Sequence, residues 1–230
     1  MSKQSKIYKK AVVLLSGGLD SSTTLFEAIR QGFRCFCLSF DYGQRHKKEL
    51  VACRRITEYA KVPLTVLKIT LPWKGSSLID YKLKIPVAEE ESFDKKKAIP
   101  NTYVPARNII FLSYAVSYAE AIGAEAIFIG ANAVDYSGYP DCRSSFYRVF
   151  RKLVSVGTKT GAQNKKIEIK TPLINLTKAQ IIERGIKLGV PYQLTWSCYR
   201  GKKHPCQSCD SCLWRKKGFK EAGIKDPLLL

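Results

Sequence analysis

Residues 12–22 read Val-Val-Leu-Leu-Ser-Gly-Gly-Leu-Asp-Ser-Ser, an apolar run that passes directly into a Ser-Gly-Gly-x-Asp-Ser turn. Ala11–Leu15 is short and continuously apolar, the pattern of a strand buried on both faces of a parallel sheet. Thr23–Ile29 carries apolar residues at helical spacing, so Gly17 and Gly18 fall between a strand and a helix. Glycine lets the backbone approach an anion without a Cβ in the way. The N–H groups of such a loop and of the helix's first turn then point at that anion, with the helix dipole behind them. The stretch Ser16, Gly17, Gly18, Leu19, Asp20, Ser21 and Ser22 is therefore expected to grip the pyrophosphate of ATP. Asp20 repels phosphate, so it is the candidate for holding Mg²⁺. The alternative is an ordinary glycine turn that starts a helix with Asp20 or Ser21 as its cap. A Gly-Lys-Ser/Thr ending is missing, so the loop is not of the Walker type.

The 230 residues suffice for one α/β domain with a small appendage, and 45% hydrophobic content supports a full core. No stretch has the apolar length of a membrane span, and Met1–Lys10 lacks the central region of a secretory signal. Eight cysteines without an export signal point to reduced thiols and metal binding in a cytoplasmic protein. The net charge of +20 is spread along the chain and not interleaved with aromatics. It fits a lysine-rich surface, a field that draws in ATP and an anionic substrate, or an RNA partner, and charge alone does not choose among them.

Strands are expected at Cys35–Phe40, Leu64–Ile69, Ala126–Gly130 and Lys166–Ile169. Helices are expected at Ser21–Gln31, Arg45–Lys61, Asn108–Ile122 and Phe146–Val156, and from a Thr177/Gln180 capping box through Leu188. This alternation predicts a parallel sheet with helices on both faces. Residues 72–100 break the rhythm and read as an inserted stretch of loops with room for a short helix. The chain thus divides into a nucleotide domain, 1–190, and a turn-rich C-terminal segment, 191–230. Asp41 and Gln44 follow the second strand and Asp135 follows the fourth, where open α/β sheets bind ligands.

In the C-terminal segment Cys198-x7-Cys206-x2-Cys209-x2-Cys212 gathers four thiols, a tetrahedral set for one structural zinc, with an iron–sulfur cluster as the rival. His204 lies in the long gap. Cys35, Cys37 and Cys53 read as packing residues, while Cys142 lies in a polar segment where it either packs or touches substrate.

The loop resembles that of the pyrophosphatase-loop (PP-loop) ATPases, which attach AMP to a substrate oxygen and release pyrophosphate. Further motifs narrow the resemblance: Phe40–His46, Val104–Asn108, Gly130–Asn132 with Asp135, Ser137–Arg143, Thr171–Leu173, Leu176–Ala179 and the cysteine group. In this order they are similar to the 7-cyano-7-deazaguanine synthase family, from about Val12 to Phe219. The resemblance implies conversion of 7-carboxy-7-deazaguanine and ammonia to the nitrile with two ATP, through adenylated acid and adenylated amide, in queuosine-type 7-deazapurine synthesis. It also implies a homodimer, one zinc per chain and magnesium with ATP. Asp20, Arg107 and Arg143 become the candidate catalytic residues. Arg107 would meet an α-phosphate or the substrate carboxylate, unless it forms only a surface salt bridge. Asp41 and Gln44 would shape the nucleotide pocket. Asp135, Tyr139, Asp141 and Arg143 would bind substrate, the two acids reading the guanine-like edge unless they only form turns. Gln207 departs from the family, standing where a glycine is expected. A tRNA-modifying PP-loop enzyme and a relative that transfers the activated deazaguanine to a protein are the rival readings.

Overall fold

A computed structural model describes residues 8–88, 99–134 and 138–230. Its centre is a five-stranded, wholly parallel sheet in the order β3-β2-β1-β4-β5. The strands are β1 (Lys10–Leu14), β2 (Arg34–Asp41), β3 (Leu64–Lys68), β4 (Ala126–Ile129) and β5 (Glu168–Lys170). The helices are α1 (Leu19–Arg30), α2 (Lys48–Ala60), α3 (Arg107–Ile122), α4 (Ser144–Gly157), the single turn α5 (Lys159–Ala162), α6 (Lys178–Lys187) and α7 (Asp210–Glu221). Among the described residues no helix is long and apolar enough to cross a membrane.

Side chains alternate across β1, and each set has its own helical layer. Val12 and Leu14, with Leu38, Phe40, Ile127 and Ile129, pack on α3 and α4. Ala11, Val13 and Leu15, with Cys35, Cys37 and Phe128, pack on α1 and α2. The three packing cysteines expected from the sequence, Cys35, Cys37 and Cys53, all belong to this second layer. Burial pushes the Cys35 and Cys53 thiols up to about 12, which keeps them neutral and inert.

Three expectations change in detail. The first helix begins at Leu19 instead of Ser21, so Asp20 sits in its first turn, where the helix dipole favours a carboxylate. The inserted stretch is tied down over its described part and contains no helix there: Ser76 and Ser77 are fully buried, and the Arg45 guanidinium donates to the Asp80 and Leu83 carbonyls. Segment 191–230, read as turn-rich, holds the 12-residue helix α7 and shares its core with the body. Trp196, Cys198, Cys209 and Cys212 pack in the α1/α2 layer, and the Trp196 N–H donates to the Gly17 carbonyl at 2.8 Å.

The sheet order reverses between β1 and β4, and that crevice receives the β1–α1 loop. Gly17 has φ +76, and a Cβ there would meet the Glu49 carbonyl and lie 2.9 Å from the Ala52 Cβ. Gly130 is not left-handed, but a Cβ there would lie 2.9 Å from the backbone of Asp20 and Ser21. The loop is thus wedged between α2 and the end of β4. Gly17→Ala combines a left-handed cost of about 1–2 kcal/mol with a backbone clash. Urea denaturation should show a loss of at least that size, and wild-type stability would contradict this packing.

Candidate functional site

At the carboxyl ends of β1, β2 and β4 lies a cleft of about 230 Å³. Ser16, Gly18, Leu19, Asp20 and Ser21 form one wall. Gly18 is the N-cap of α1 and no side chain caps the helix, so its first turn faces the cleft with N–H groups available to an anion. The Ser16 and Ser21 hydroxyls lie 3.0 Å apart, and the Ser22 hydroxyl donates to the Gly18 carbonyl at 2.7 Å. The seven loop residues therefore divide their work. Gly17 and Ser22 fix the turn from behind, and the other five line the cleft.

Asp20 does not stand alone. The Lys178 ammonium lies 2.8 Å from each of its carboxylate oxygens. Lys178 is the first residue of α6, a poor place for a cation near a helix dipole, and it is 4% exposed. Two devices hold it there. The expected capping box is present, with Thr177 and Gln180 bonded reciprocally, and Gly218 of α7 leaves room for the lysine stem, which any Cβ would strike. Sequence reading missed Lys178 because its partner lies 158 positions away.

A second cation, Arg107, lines the opposite side. Its guanidinium donates to the Tyr42 hydroxyl at 3.3 Å, and no carboxylate among the described residues pairs with it, so it is not a surface salt bridge. Burial works against its charge, but the neighbouring oxygens of Tyr42, Tyr139 and Tyr199 hold its pKa above the ordinary value. Ala106, at φ +54, turns the chain into α3 immediately before it.

The remaining candidates scatter. Gln44 is buried, with its carbonyl oxygen accepting from the Tyr42 N–H at 2.8 Å and its amide donating to the Phe40 carbonyl at 2.9 Å. It shapes the wall from within the turn. Asp41 stands outside the lining, its carboxylate 3.5 Å from the Gly43 N–H and 3.7 Å from Lys47. Tyr139 lines the cleft, anchored by its hydroxyl 2.7 Å from the Thr102 hydroxyl. Asp141 is one layer behind the wall: one oxygen accepts the Asn108 N–H at 3.3 Å, and the other is buried without a partner among the described residues. Burial raises its pKa, which Arg107 partly offsets. Arg143 is the exposed N-cap of α4 and does not line the cleft. Asp135 falls outside the described residues. Cys142 does face the cleft, but burial pushes its thiol up to about 12, so it is a neutral contact and not a nucleophile.

Sequence reading also missed an entire wall. Trp196, Ser197, Tyr199, Ser211, Trp214 and Arg215 come from the cysteine-bearing segment. Arg215 is buried, with its guanidinium 2.6 and 2.8 Å from the two Asp226 carboxylate oxygens, which fastens the C-terminus beneath this wall.

The four sulfurs of Cys198, Cys206, Cys209 and Cys212 lie within 4.8 Å of one another, with Cys206 and Cys212 at 3.9 Å. A tetrahedral ion with Zn–S bonds of about 2.3 Å sets sulfurs about 3.8 Å apart, so the set fits one ion. The Cys206 N–H donates to the Cys198 sulfur at 3.3 Å, which favours thiolate there. Gln207 adopts φ +57, a left-handed turn between ligands, and this explains why glycine is the expected residue.

Removing one member of a largely buried ion pair leaves the other uncompensated, at a cost of about 3–5 kcal/mol. Lys178→Met should lose stability of that order in urea, and adding Asp20→Asn should restore part of it. Strictly additive losses would show that the pair is not coupled.

The description "Queuosine biosynthesis protein QueC" matches residues 10–223. A 7-cyano-7-deazaguanine synthase of Thermoplasma volcanium is 50% identical over 220 residues, 96% of this chain and 90% of that one. One from Acetivibrio thermocellus is 51% identical over 220 residues, 96% of this chain and 97% of that one. Among solved structures, a 4-thiouridine synthetase–RNA complex with bound ATP aligns at TM-score 0.47 and 20% identity, over 94% of this chain and half of that one.

Proposed function

The chain belongs to the QueC family of queuosine biosynthesis proteins, and from this we propose that its cleft converts 7-carboxy-7-deazaguanine and ammonia to 7-cyano-7-deazaguanine, consuming two ATP. The observation that carries the reading is the uncapped start of α1 beside the Asp20–Lys178 pair, at the switch in strand order. That arrangement suits a pyrophosphate leaving group.

A carboxylate is a poor electrophile, so its oxygen first attacks the α-phosphorus of ATP. The first N–H groups of α1 and the hydroxyls of Ser16 and Ser21 receive the departing pyrophosphate, with Gly18 giving it close backbone approach and Lys178 adding charge. Asp20 is the residue to hold magnesium, which would neutralise the phosphates. Arg107 supplies two parallel donors to the α-phosphate or the substrate carboxylate, where negative charge gathers in the transition state. Ammonia attacks the acyl carbon and AMP leaves, giving the amide. A second adenylation on the amide oxygen, followed by loss of AMP and the remaining N–H proton, gives the nitrile. Tyr139 presents a ring to the base. Asp141 acts by holding Asn108 and so the start of α3 from which Arg107 projects. Arg143, exposed beyond the lining, has no assigned contact with the reacting atoms.

We assign zinc to the four cysteines. Their sulfurs are too close together for a cluster of several irons, and four thiolates leave no open coordination position, so the ion cross-links the wall that holds Trp196 and Tyr199.

Mass spectrometry of protein incubated with 7-carboxy-7-deazaguanine, ATP, Mg²⁺ and ammonium tests the assignment. It should detect the nitrile with AMP and pyrophosphate, and none with Asp20→Asn. ADP and phosphate, or AMP without nitrile, would overturn it.

A further inference from the structure

We infer that Glu49, on α2, reads the guanine-like edge of the substrate. This rests on the deazaguanine reading above and adds a carboxylate that the sequence candidates do not include. Among the described residues only two carboxylates line the cleft, Asp20 and Glu49. Asp20 is engaged on both oxygens by Lys178 at the pyrophosphate end. Asp141 lies behind the wall, engaged by the Asn108 N–H. Glu49 is the carboxylate left facing the cleft without a cationic Lys or Arg partner among the described residues, and its side chain keeps 16% exposure.

Its setting is built. The Glu49 Oε2 lies 3.1 Å from Nε2 of His46, whose Nδ1 is buried without a partner among the described residues, so Nε2–H is the donor. His46 is 1% exposed and is held by the ring of Tyr199, 5.7 Å away between centroids, and by the close approach of Gly201 at φ +60. His46 is thus a positioning residue that fixes the carboxylate plane. The Glu49 carbonyl packs on Gly17, which places α2 directly against the phosphate loop. Tyr42 and Tyr199 line the cleft beside the same cluster, so aromatic rings border the position proposed for the base.

The ligand chemistry follows from donor patterns. The guanine-like ring of the substrate offers N1–H and the 2-amino group side by side, two parallel donors that match the two oxygens of one carboxylate. The corresponding edge of adenine pairs a donor with the N1 acceptor, which a carboxylate repels. Glu49 therefore selects the deazaguanine and rejects adenine from its position in the cleft.

Calorimetry with 7-carboxy-7-deazaguanine and its analogue lacking the 2-amino group tests this, on wild type and on Glu49→Gln. Wild type should bind the parent compound about 100-fold more tightly than the analogue, because the analogue leaves a buried acceptor unpaired. Glu49→Gln should weaken the parent about 100-fold and reduce the preference to about threefold or less. Equal binding of both compounds by wild type, or an undiminished preference in Glu49→Gln, would overturn the inference. If Glu49→Gln does not fold, Glu49→Asp serves, since a carboxylate withdrawn by one methylene should lose most of the preference. No binding of the parent by wild type would instead overturn the substrate assignment and this inference with it.

Discussion

The bidentate contact between Lys178 and Asp20 joins the first turn of α1 to the first turn of α6, across 158 positions of chain. Much else in the molecule serves it. Thr177 and Gln180 close the capping box that starts α6 at the right residue, and Gly218 yields the space that the lysine stem fills. Below it the Thr23 and Tyr192 hydroxyls meet at 2.8 Å, and the Tyr192 hydroxyl also reaches the Ile181 carbonyl, so α1, α6 and the segment after α6 are bonded together. The pair sits at the edge of solvent, with Asp20 still 19% exposed, so its charges are set out for a ligand and not sealed away. A carboxylate that can meet a metal and an ammonium that can meet phosphate are stored against each other.

From that pair the cleft is assembled by strand order. The reversal between β1 and β4 opens the crevice, and the two glycines at its mouth, Gly17 and Gly130, let α2 and β4 close on the loop to distances that any side chain would prevent. Arg107 lies across the opening, surrounded by tyrosine oxygens. The third wall comes from the cysteine segment, which links metal binding to the site. A metal ion held by Cys198, Cys206, Cys209 and Cys212 would also order Trp196, Tyr199 and Trp214.

Local signals in the sequence carried most of this. The apolar run into Ser16–Ser22 located the crevice, the 3.6-residue patterns located α1–α4 and α6 to within a few residues but not α5 or α7, and the spacing of Cys198, Cys206, Cys209 and Cys212 identified sulfurs that do converge. What the sequence hides is direction and distance. Asp141, Cys142 and Arg143 are adjacent in one motif, yet one is buried behind the wall, one lines it and one faces solvent, because the 3₁₀ turn Pro140–Cys142 rotates successive side chains apart. Lys178 resembles a surface lysine until its partner is known. Glu49 resembles an ordinary helix acid, since nothing local says that its face of α2 meets the cleft. Gln207 is the converse case: a departure visible in the sequence whose cause, a left-handed turn, only the backbone reveals.

The central claim is that one pyrophosphate-gripping site activates the same substrate carbon twice, through oxygen. Isotope tracing tests it most directly. With both carboxylate oxygens of 7-carboxy-7-deazaguanine labelled as ¹⁸O, each of the two AMP molecules released per nitrile should carry one labelled oxygen, one from the acid and one from the amide. Label recovered in pyrophosphate or in water, with unlabelled AMP, would contradict the account.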